Sequence, residues 1–586
     1  MYLKCCPGYK GKIYLSFVQG YRDEFGKAKS KTIEKIGYLE ELKKIYDDPI
    51  AHFKEVAKQK NKEDIKELVI KNISTRKIPK ISTRKNLGYS VLKKIYNELQ
   101  LKELFQSKQR NLNIDYKLND IFELLIYSRI MYPASKKETF ENKDIFFDKF
   151  VFSLKDVYRS LDHFNSFKED IERTIWNNTK DLYNRDASTA YYDCTNYYFE
   201  ISYNDEDLID EEGNILEKGY RKKGPSKEHR PDPIIQMGLL MDKNGIPLSF
   251  DLFPGNESEK TSLRPILRRT KSSFELDRVI TVADRGLNTS DNTVFIAGKN
   301  DDTTHRDGYV FGQSILGADK DFKEWVLKQD DYLYDKEIDK DGYEFVFKHK
   351  SRVFAKTTQL IRNGKRSNKY DVYQKQMVYY SEKYAQKQKK ERDLVLLKAK
   401  DLINNPGKYN HAASYGATKY INNLKFDKAT GEILTGLDLS LNIDKIKEEE
   451  KYNGYYSIVT SELELSDKEI RDIYKGLWKI EEAFKITKSN FKTRPVFVWT
   501  KEHIEAHFLT CFVSLVIIKL LEQKINKKYS VNKIIESLKK YSCSKVEHDL
   551  YLFDYTDNII KEIEGILNLN LSNKYLELSN IRKILN

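Results

Sequence analysis

Ser466–Pro495 reads SDKEIRDIYKGLWKIEEAFKITKSNFKTRP. The pattern predicts one long helix. Ser466 is an N-cap residue, and Glu469 three positions on completes a capping box. Leu465 and Ile470 can close a hydrophobic staple around that cap. Pro495 stops the helix. Ile470, Ile473, Tyr474, Leu477, Phe484 and Phe491 recur at helical spacing. Two charges interrupt this apolar stripe: Glu481, seven after Tyr474, and Lys488, seven after Glu481. Seven steps of about 100° return to within roughly 20° of the start, so these three side chains share a face. A carboxylate and an ammonium on an inward stripe are costly unless paired. They form either a structural Glu481–Lys488 pair or part of a site. Glu482 points away and is expected in solvent.

Working outward, the chain has 586 residues, enough for several domains with real cores. Its 40% hydrophobic content excludes a disordered chain. A formal net charge of +14 favours a polyanionic partner such as nucleic acid. The Lys, Asn, Ile and Tyr bias of an AT-rich genome would raise the same count. Five cysteines without regular spacing point to a reducing compartment, and adjacent Cys5 and Cys6 cannot make a CxxC knuckle. The N-terminus lacks the apolar core of a signal peptide. The longest apolar run, Phe508 to Ile518, is too short to span a membrane and suits a buried helix. The chain is expected in the cytoplasm, with the nucleoid.

Upstream, residues 12–37 alternate on both sides of a turn at Glu24–Phe25–Gly26, a β-hairpin pattern. Lys27, Lys29, Lys31 and Lys35 on its second limb either touch phosphates or guard a sheet edge. Leu39 to Tyr183 is helical in period, with basic connections such as Ser74–Lys85 that either contact DNA or are a solvated face. At Thr189 the period changes to two. TAYYDCTNYYFEIS predicts a strand with Asp193 in its middle. Pro233–Met241 and Pro247–Phe253 are further strands, followed by a helix near Lys260–Leu276. Arg278–Ala283 is a β-branched strand with Asp284 at its carboxyl end, a position where α/β sheets build sites. A helix capped by Thr289 or Ser290 and a strand Tyr309–Ile315 follow. This order of three strands, helix, strand, helix, strand is the first part of a ribonuclease-H-like fold. Residues 316–455 are polar and strand-like, with a charged helix over Gln374–Leu402, and are expected to form an inserted domain. Strand 455–461 returns the chain to the opening helix. The tail beyond Leu521 is predicted helical.

Three acids oppose their apolar contexts: Asp193, Asp284 and Glu481. Converging carboxylates repel one another and are tolerable around a divalent cation. Mg²⁺ takes oxygen ligands and keeps positions for water and phosphate. Two such ions about 4 Å apart activate an attacking oxygen and stabilise a leaving one. No Walker A loop, GxSxG elbow or zinc-spaced Cys/His cluster competes. His503 and His507 are four apart around Glu505, but this is not HExxH, and they read as structural.

These residues together resemble the DDE transposases of bacterial insertion sequences, in the insertion-sequence-4 superfamily and its insertion-sequence-1634 group. The superfamily's last helix carries Tyr-x2-Arg-x3-Glu-x6-Lys. Tyr474, Glu481 and Lys488 stand at three of those positions, and Leu477 replaces the Arg. DRGLNTSDN at Asp284 and DCTNYYFE at Asp193 look like the family's two Asp motifs. Residues 224–259 look like its linking block, and RPVFVWTKEHIEAH also resembles the family. The resemblance implies a ribonuclease-H-like core with a β-rich domain inserted in the 197 residues from Asp284 to Glu481. It implies DNA cleavage at transposon ends, usually through a hairpin intermediate, then joining to target DNA by a homodimer. Asp193, Asp284 and Glu481 would hold two Mg²⁺ ions, which Mn²⁺ can replace. Tyr474 and Lys488 would contact phosphate at the cut end. Lys227, Arg230 and Arg285 would touch the backbone of double-stranded DNA, or serve as surface charges.

The expected organisation is an N-terminal hairpin region (1–60), a helical DNA-binding region (61–185), the first part of the core (186–315), the insertion (316–455), the second part with the Glu helix (456–525) and a helical tail (526–586). The alternatives are a nuclease of the same fold without strand transfer and a DNA-binding derivative that has lost catalysis.

Overall fold

Asp193 and Asp284 lie on neighbouring strands, and the sheet that carries them organises most of the chain. The computed structural model describes residues 2–7, 12–22, 28–62, 84–228, 230–297, 307–338, 342–362, 365–409, 414, 416–426, 433–434, 438–547 and 549–586. The turn at 24–26, Lys27 and residues 74–83 of the basic connection lie outside them. The chain divides into two units, Met1–Lys80 and Ile81–Asn586.

In the first unit, strands β1 (Tyr2–Pro7), β2 (Ile13–Arg22) and β3 (Ala28–Tyr38) form an antiparallel sheet in that order. The expected hairpin limbs are β2 and β3, and β1 adds a third strand. A helix, Pro49–Lys62, follows, with the Asp48 carboxylate accepting from the amides of Ile50 and Ala51.

In the second unit, β4 (Arg84–Asn86) precedes a run of helices reaching Thr179. The strands that follow are β5 (Thr189–Tyr198), β6 (Leu208–Ile209), β7 (Ile215–Glu217), β8 (Ile234–Met241), β9 (Pro247–Pro254), β10 (Ile280–Ala283), β11 (Gly308–Gln313), β12 (Leu333–Ile338), β13 (Glu344–Arg362), β14 (Lys365–Tyr380), β15 (Ile421–Asn422), β16 (Ser440–Leu441) and β17 (Tyr455–Thr460). Nine of these make one mixed sheet, in the order β12-β13-β14-β17-β11-β10-β5-β8-β9. β5, β8 and β9 form an antiparallel meander, and β10 and β11 run parallel to β5.

Helices flank this sheet, and side chains alternate across it with period two. Tyr191 and Tyr197 enter one core, shared with the long Lys501–Lys524 helix, while Tyr192 and Cys194 enter another, with Leu263, Ile266 and Leu267. With both faces covered, β5 and β8 are buried nearly throughout, and β8 is apolar along most of its length. The Lys501–Lys524 helix is long and apolar enough to cross a membrane by composition, but its apolar stretch is wholly buried within the protein.

Four elements differ from their sequence expectation. The single helix predicted over 466–495 is broken. It runs Asp467–Lys475, restarts at Trp478–Lys485 and ends in a π-helical turn at Ile486–Asn490. The break falls at Gly476, where an added Cβ would lie 2.0 Å from the Tyr191 hydroxyl. The charged helix starts at Glu382, because Lys365–Tyr380 is strand. The strands of residues 316–455 do not form a separate sheet: β12, β13 and β14 extend the central one through β17. The tail is not all helical. β18 (Ser542–Glu547), β19 (Leu550–Phe553) and β20 (Tyr575–Glu577) make a four-stranded sheet with β4. Short strands such as these escape periodicity reading, which needs longer windows.

Candidate active site

Parallel pairing of β5 and β10 sets Ala283 beside Tyr192. The next residue in each case is an acid, Asp193 within β5 and Asp284 just past the end of β10, so the two emerge together. Glu481 comes from the Trp478–Lys485 helix. All three line one cleft of about 690 Å³. Tyr474 and Arg285 line it too, as does Leu477, the residue at the superfamily's Arg position. Its far wall comes from residues 379–395 and 449–457. There the Tyr384 ring stacks on Tyr456 at 3.8 Å, and Tyr456 stacks on Tyr379 at 5.2 Å.

The acids differ in environment. Burial raises the Asp193 carboxyl to about 6. Lys227 and the Cys194 amide oppose that rise, while Glu259 and Asp284 add to it. Asp284 is exposed and caps the short turn after β10, with Oδ1 accepting from the Arg285 amide at 2.7 Å. The Tyr474 hydroxyl donates to the same oxygen at 3.3 Å. Burial, then Asp284, pushes the Tyr474 phenol well up, so it stays a donor. Glu481 is exposed, and among the described residues nothing pairs with its carboxylate. No Glu481–Lys488 ion pair forms, so the structural-pair reading is set aside.

Lys488 leaves the stripe it was predicted to share with Tyr474 and Glu481. The helix break and the π-turn shift its phase, and it does not line the cleft. Its ammonium lies 3.7 Å from Glu228 and 5.5 Å from the Tyr197 ring centre. Burial lowers it to about 8, Lys227 lowers it further and Asp193 raises it. Glu228 also pairs with Arg494. Lys227 donates to the Cys194 carbonyl and lies 3.3 Å from Glu259. Arg230 stacks over Tyr198 at 3.9 Å and lies 3.7 Å from Asp232. Glu482 is half-buried and accepts from Lys519 at 2.5 Å, contrary to the expectation of solvent.

Sequence reasoning missed Glu228, Arg494 and Gly312. Gly312 carried a readable signal, since a glycine inside a strand often marks close approach. A Cβ there would lie 2.4 Å from the Tyr474 hydroxyl and 3.0 Å from the Arg285 amide. His507 is structural as read: buried, with Nε2 against the Thr493 carbonyl and Nδ1 near Lys136.

Three carboxylates in an open cleft are the oxygen donor set that Mg²⁺ takes. Among the described residues, however, no group of three His, Cys, Asp or Glu side chains stands close enough to hold one ion. As placed, the acids share a cleft without closing on a common point.

Residues 7–68 match the family model described as IS1634 family transposase, N-terminal domain, and this region is homologous to it. No curated protein matches. Among solved structures, the piggyBac transposase synaptic complex with hairpin DNA is similar over 85% of this chain and 82% of that one, at 8% identity and a TM-score of 0.34. The Mos1 transposase paired-end complex with left transposon end is similar over 44% of this chain and 67% of that one, at 10% identity and a TM-score of 0.13. The chain thus has family-level homology to transposases in its N-terminal region and a mixed α/β sheet flanked by helices.

Proposed function

We propose that this chain is a DDE transposase that cleaves the ends of an insertion sequence and joins them to target DNA. The observation that carries the reading is the meeting of Asp193, Asp284 and Glu481 in one cleft, from two adjacent parallel strands and a helix. The strand order β9-β8-β5-β10-β11, a meander followed by two parallel strands, supports a ribonuclease-H-like core. The N-terminal homology supports the insertion-sequence-1634 group, and the formal charge of +14 supports a DNA partner.

In this reading Asp193, Asp284 and Glu481 would hold Mg²⁺, an ion that would supply Lewis-acid stabilisation of charge on phosphoryl oxygens. Holding one ion between them would require the three side chains to draw together. Asp193 must be ionised to serve. Tyr474 fixes the Asp284 carboxylate by donating to Oδ1. Lys488 supplies positive charge near Asp193 and shares Glu228 with Arg494, and a DNA phosphate would displace that carboxylate. Lys227, Arg230 and Arg285 add backbone contacts.

The test is a cleavage and strand-transfer assay with Mg²⁺ and DNA carrying the inverted repeats that flank the gene. Asp284→Ala is expected to abolish both products. Unchanged product overturns the reading, and cleavage without joined product favours a nuclease of the same fold.

A further inference from the structure

One buried cation in the cleft stands outside the acid chemistry. Arg392 lies on the Glu382–Asn404 helix, lines the same cleft as the three acids and is only 8% exposed. Its Nη1 donates to Asn453 Oδ1 at 2.9 Å. Its Nε and Nη2 are buried, and no acceptor among the described residues takes a hydrogen bond from them. Glu450, itself half-exposed, approaches Nη2 only to 3.7 Å. The other carboxylates of this wall are engaged elsewhere: Glu391 with Lys387 at 3.8 Å, and Glu449 with Lys419 at 3.0 Å.

Buried donors without acceptors are costly. These two are not an arbitrary pair. Nε–H and Nη2–H leave one edge of the guanidinium plane in parallel, the fork that grips two oxygens of a single phosphate. The edge is held still, because Asn453 fixes Nη1 and Gln388, one turn earlier on the helix, accepts the Gly454 amide at 2.8 Å. A pre-set fork loses little freedom on binding. Its position selects the phosphate. Tyr384, Gln388, Arg392 and Val395 recur at helical spacing and all line the cleft, so the cleft follows this helix. The acids lie at the Tyr384 end: Tyr384 stacks on Tyr456, whose phenol is raised by burial first and then by Tyr384, Tyr379 and Asp284. Arg392 is two turns beyond Tyr384, about 12 Å at 1.5 Å per residue. At about 3.4 Å per nucleotide of one strand, that is about three or four nucleotides.

We propose that Arg392 is a positioning residue for the substrate strand, whose Nε–Nη2 edge clamps one backbone phosphate about three or four nucleotides from the one that reacts at Asp193, Asp284 and Glu481. The clamp rests on the reading of the chain as a transposase and adds to it a phosphate site set apart from the acids. It takes no part in the chemical step. It acts by fixing the register of the strand, as phosphate contacts do.

The test measures binding and single-turnover cleavage by the full chain on DNA carrying the flanking inverted repeats. Single phosphates of the strand are replaced in turn by uncharged methylphosphonate. One replacement beyond the reacting phosphate should weaken wild-type binding roughly 10- to 100-fold. Arg392→Gln should weaken binding of unmodified DNA by a similar factor and show no further loss at that one position. It should also make the slope of log K against log salt shallower by about 0.9. Its cleavage rate at saturating DNA should hold, and its thermal midpoint should hold or rise, since a buried charge short of acceptors is removed. Arg392→Lys keeps the charge without the fork, so it should recover the salt slope but not the affinity. Should Arg392→Gln lose its circular dichroism, Arg392→Lys and the wild-type scan carry the test. Wild-type affinity and slope in Arg392→Gln overturn the clamp and leave the transposase reading standing. So does a lowered midpoint with an unchanged slope, which assigns Arg392 to the fold. A wild-type midpoint raised by inorganic phosphate alone, with no position-specific effect on DNA, assigns the fork to free phosphate and also overturns the strand clamp. A wild type that binds no such DNA overturns both readings.

Discussion

The hydroxyl of Tyr474 lies 3.3 Å from Oδ1 of Asp284, across the gap between a helix and the end of a strand. The same oxygen accepts the Arg285 amide. The carboxylate is thus held from two sides, one of them from the Asp467–Lys475 helix. Tyr474→Phe removes one donor and keeps the ring. A hydrogen bond to a charged group contributes about 1.5–3 kcal/mol, so strand transfer should fall roughly 10- to 100-fold. The thermal midpoint should move little. An unchanged rate would separate Tyr474 from the chemistry.

Gly312 leaves the space that the Tyr474 hydroxyl occupies. Gly312→Ala would push the ring, or the Arg285 backbone, out of place. Overpacking of this kind costs about 1–3 kcal/mol, which chemical denaturation reads directly. Because the clash is with the hydroxyl, Gly312→Ala in a Tyr474→Phe background should cost less than the two changes summed. Strict additivity would show that the contact is not the cause.

Two groups near the cleft titrate on either side of neutrality. Asp193, raised to about 6, must lose its proton to bind a cation, so activity should rise with pH through that value. Lys488, lowered to about 8, loses its charge above that value, so activity should fall there. A bell-shaped profile is expected. Lys488→Arg keeps the charge and should remove the alkaline limb alone. The stability effect of Asp193 has the opposite sign to its use. A carboxyl raised on folding favours the protonated native state, and that contribution is full below the unfolded carboxyl range and lost as pH rises through about 6. Asp193→Asn should therefore raise the melting temperature at pH 8 and leave it unchanged below about pH 4. Equal shifts at both pH values would rule out titration as the cause.

His349 joins the extended sheet to the first turn of the site helix. Nδ1 lies 2.8 Å from Asp467 and Nε2 3.0 Å from Asp335, while Lys375 adds 3.1 Å to Asp467. Asp467 is buried, so removing its partners leaves a carboxylate short of hydrogen bonds. His349→Ala should cost about 1–3 kcal/mol. His349→Ala with Lys375→Met should cost more, in the range of about 3–5 kcal/mol for a broken buried pair. Urea midpoints near wild type for both would mean that water replaces the lost groups.

The three acids that line the cleft were legible in the sequence because each broke a clear local pattern. Asp193 interrupts an apolar strand, Asp284 ends one, and Glu481 follows Tyr474 by seven. Period-two alternation around Thr189 likewise announced β5 and its two cores. Other features depend on contacts between distant residues and were not legible. The helix breaks at Gly476, where a tyrosine hydroxyl from β5 packs closely, and no window around Gly476 contains Tyr191. The phase of Lys488 was lost with that break and with the π-turn. Residues 316–455 looked separable because their strands are polar, but an edge extension of a sheet is also polar, and only pairing distinguishes the two.

The chain leaves β11 after Gln313, adds β12, β13 and β14 to the sheet's edge, and returns beside its starting point at Ser457, the registered neighbour of Gln313 on β17. Everything between is a closed excursion with both ends pinned at one place. Lengthening such an excursion is cheap: each doubling costs only about 0.6 kcal/mol in closure entropy. The connections within this excursion that lie outside its strands can therefore be lengthened or trimmed at little thermodynamic cost, while β5 and β10, which position Asp193 and Asp284, keep their alignment.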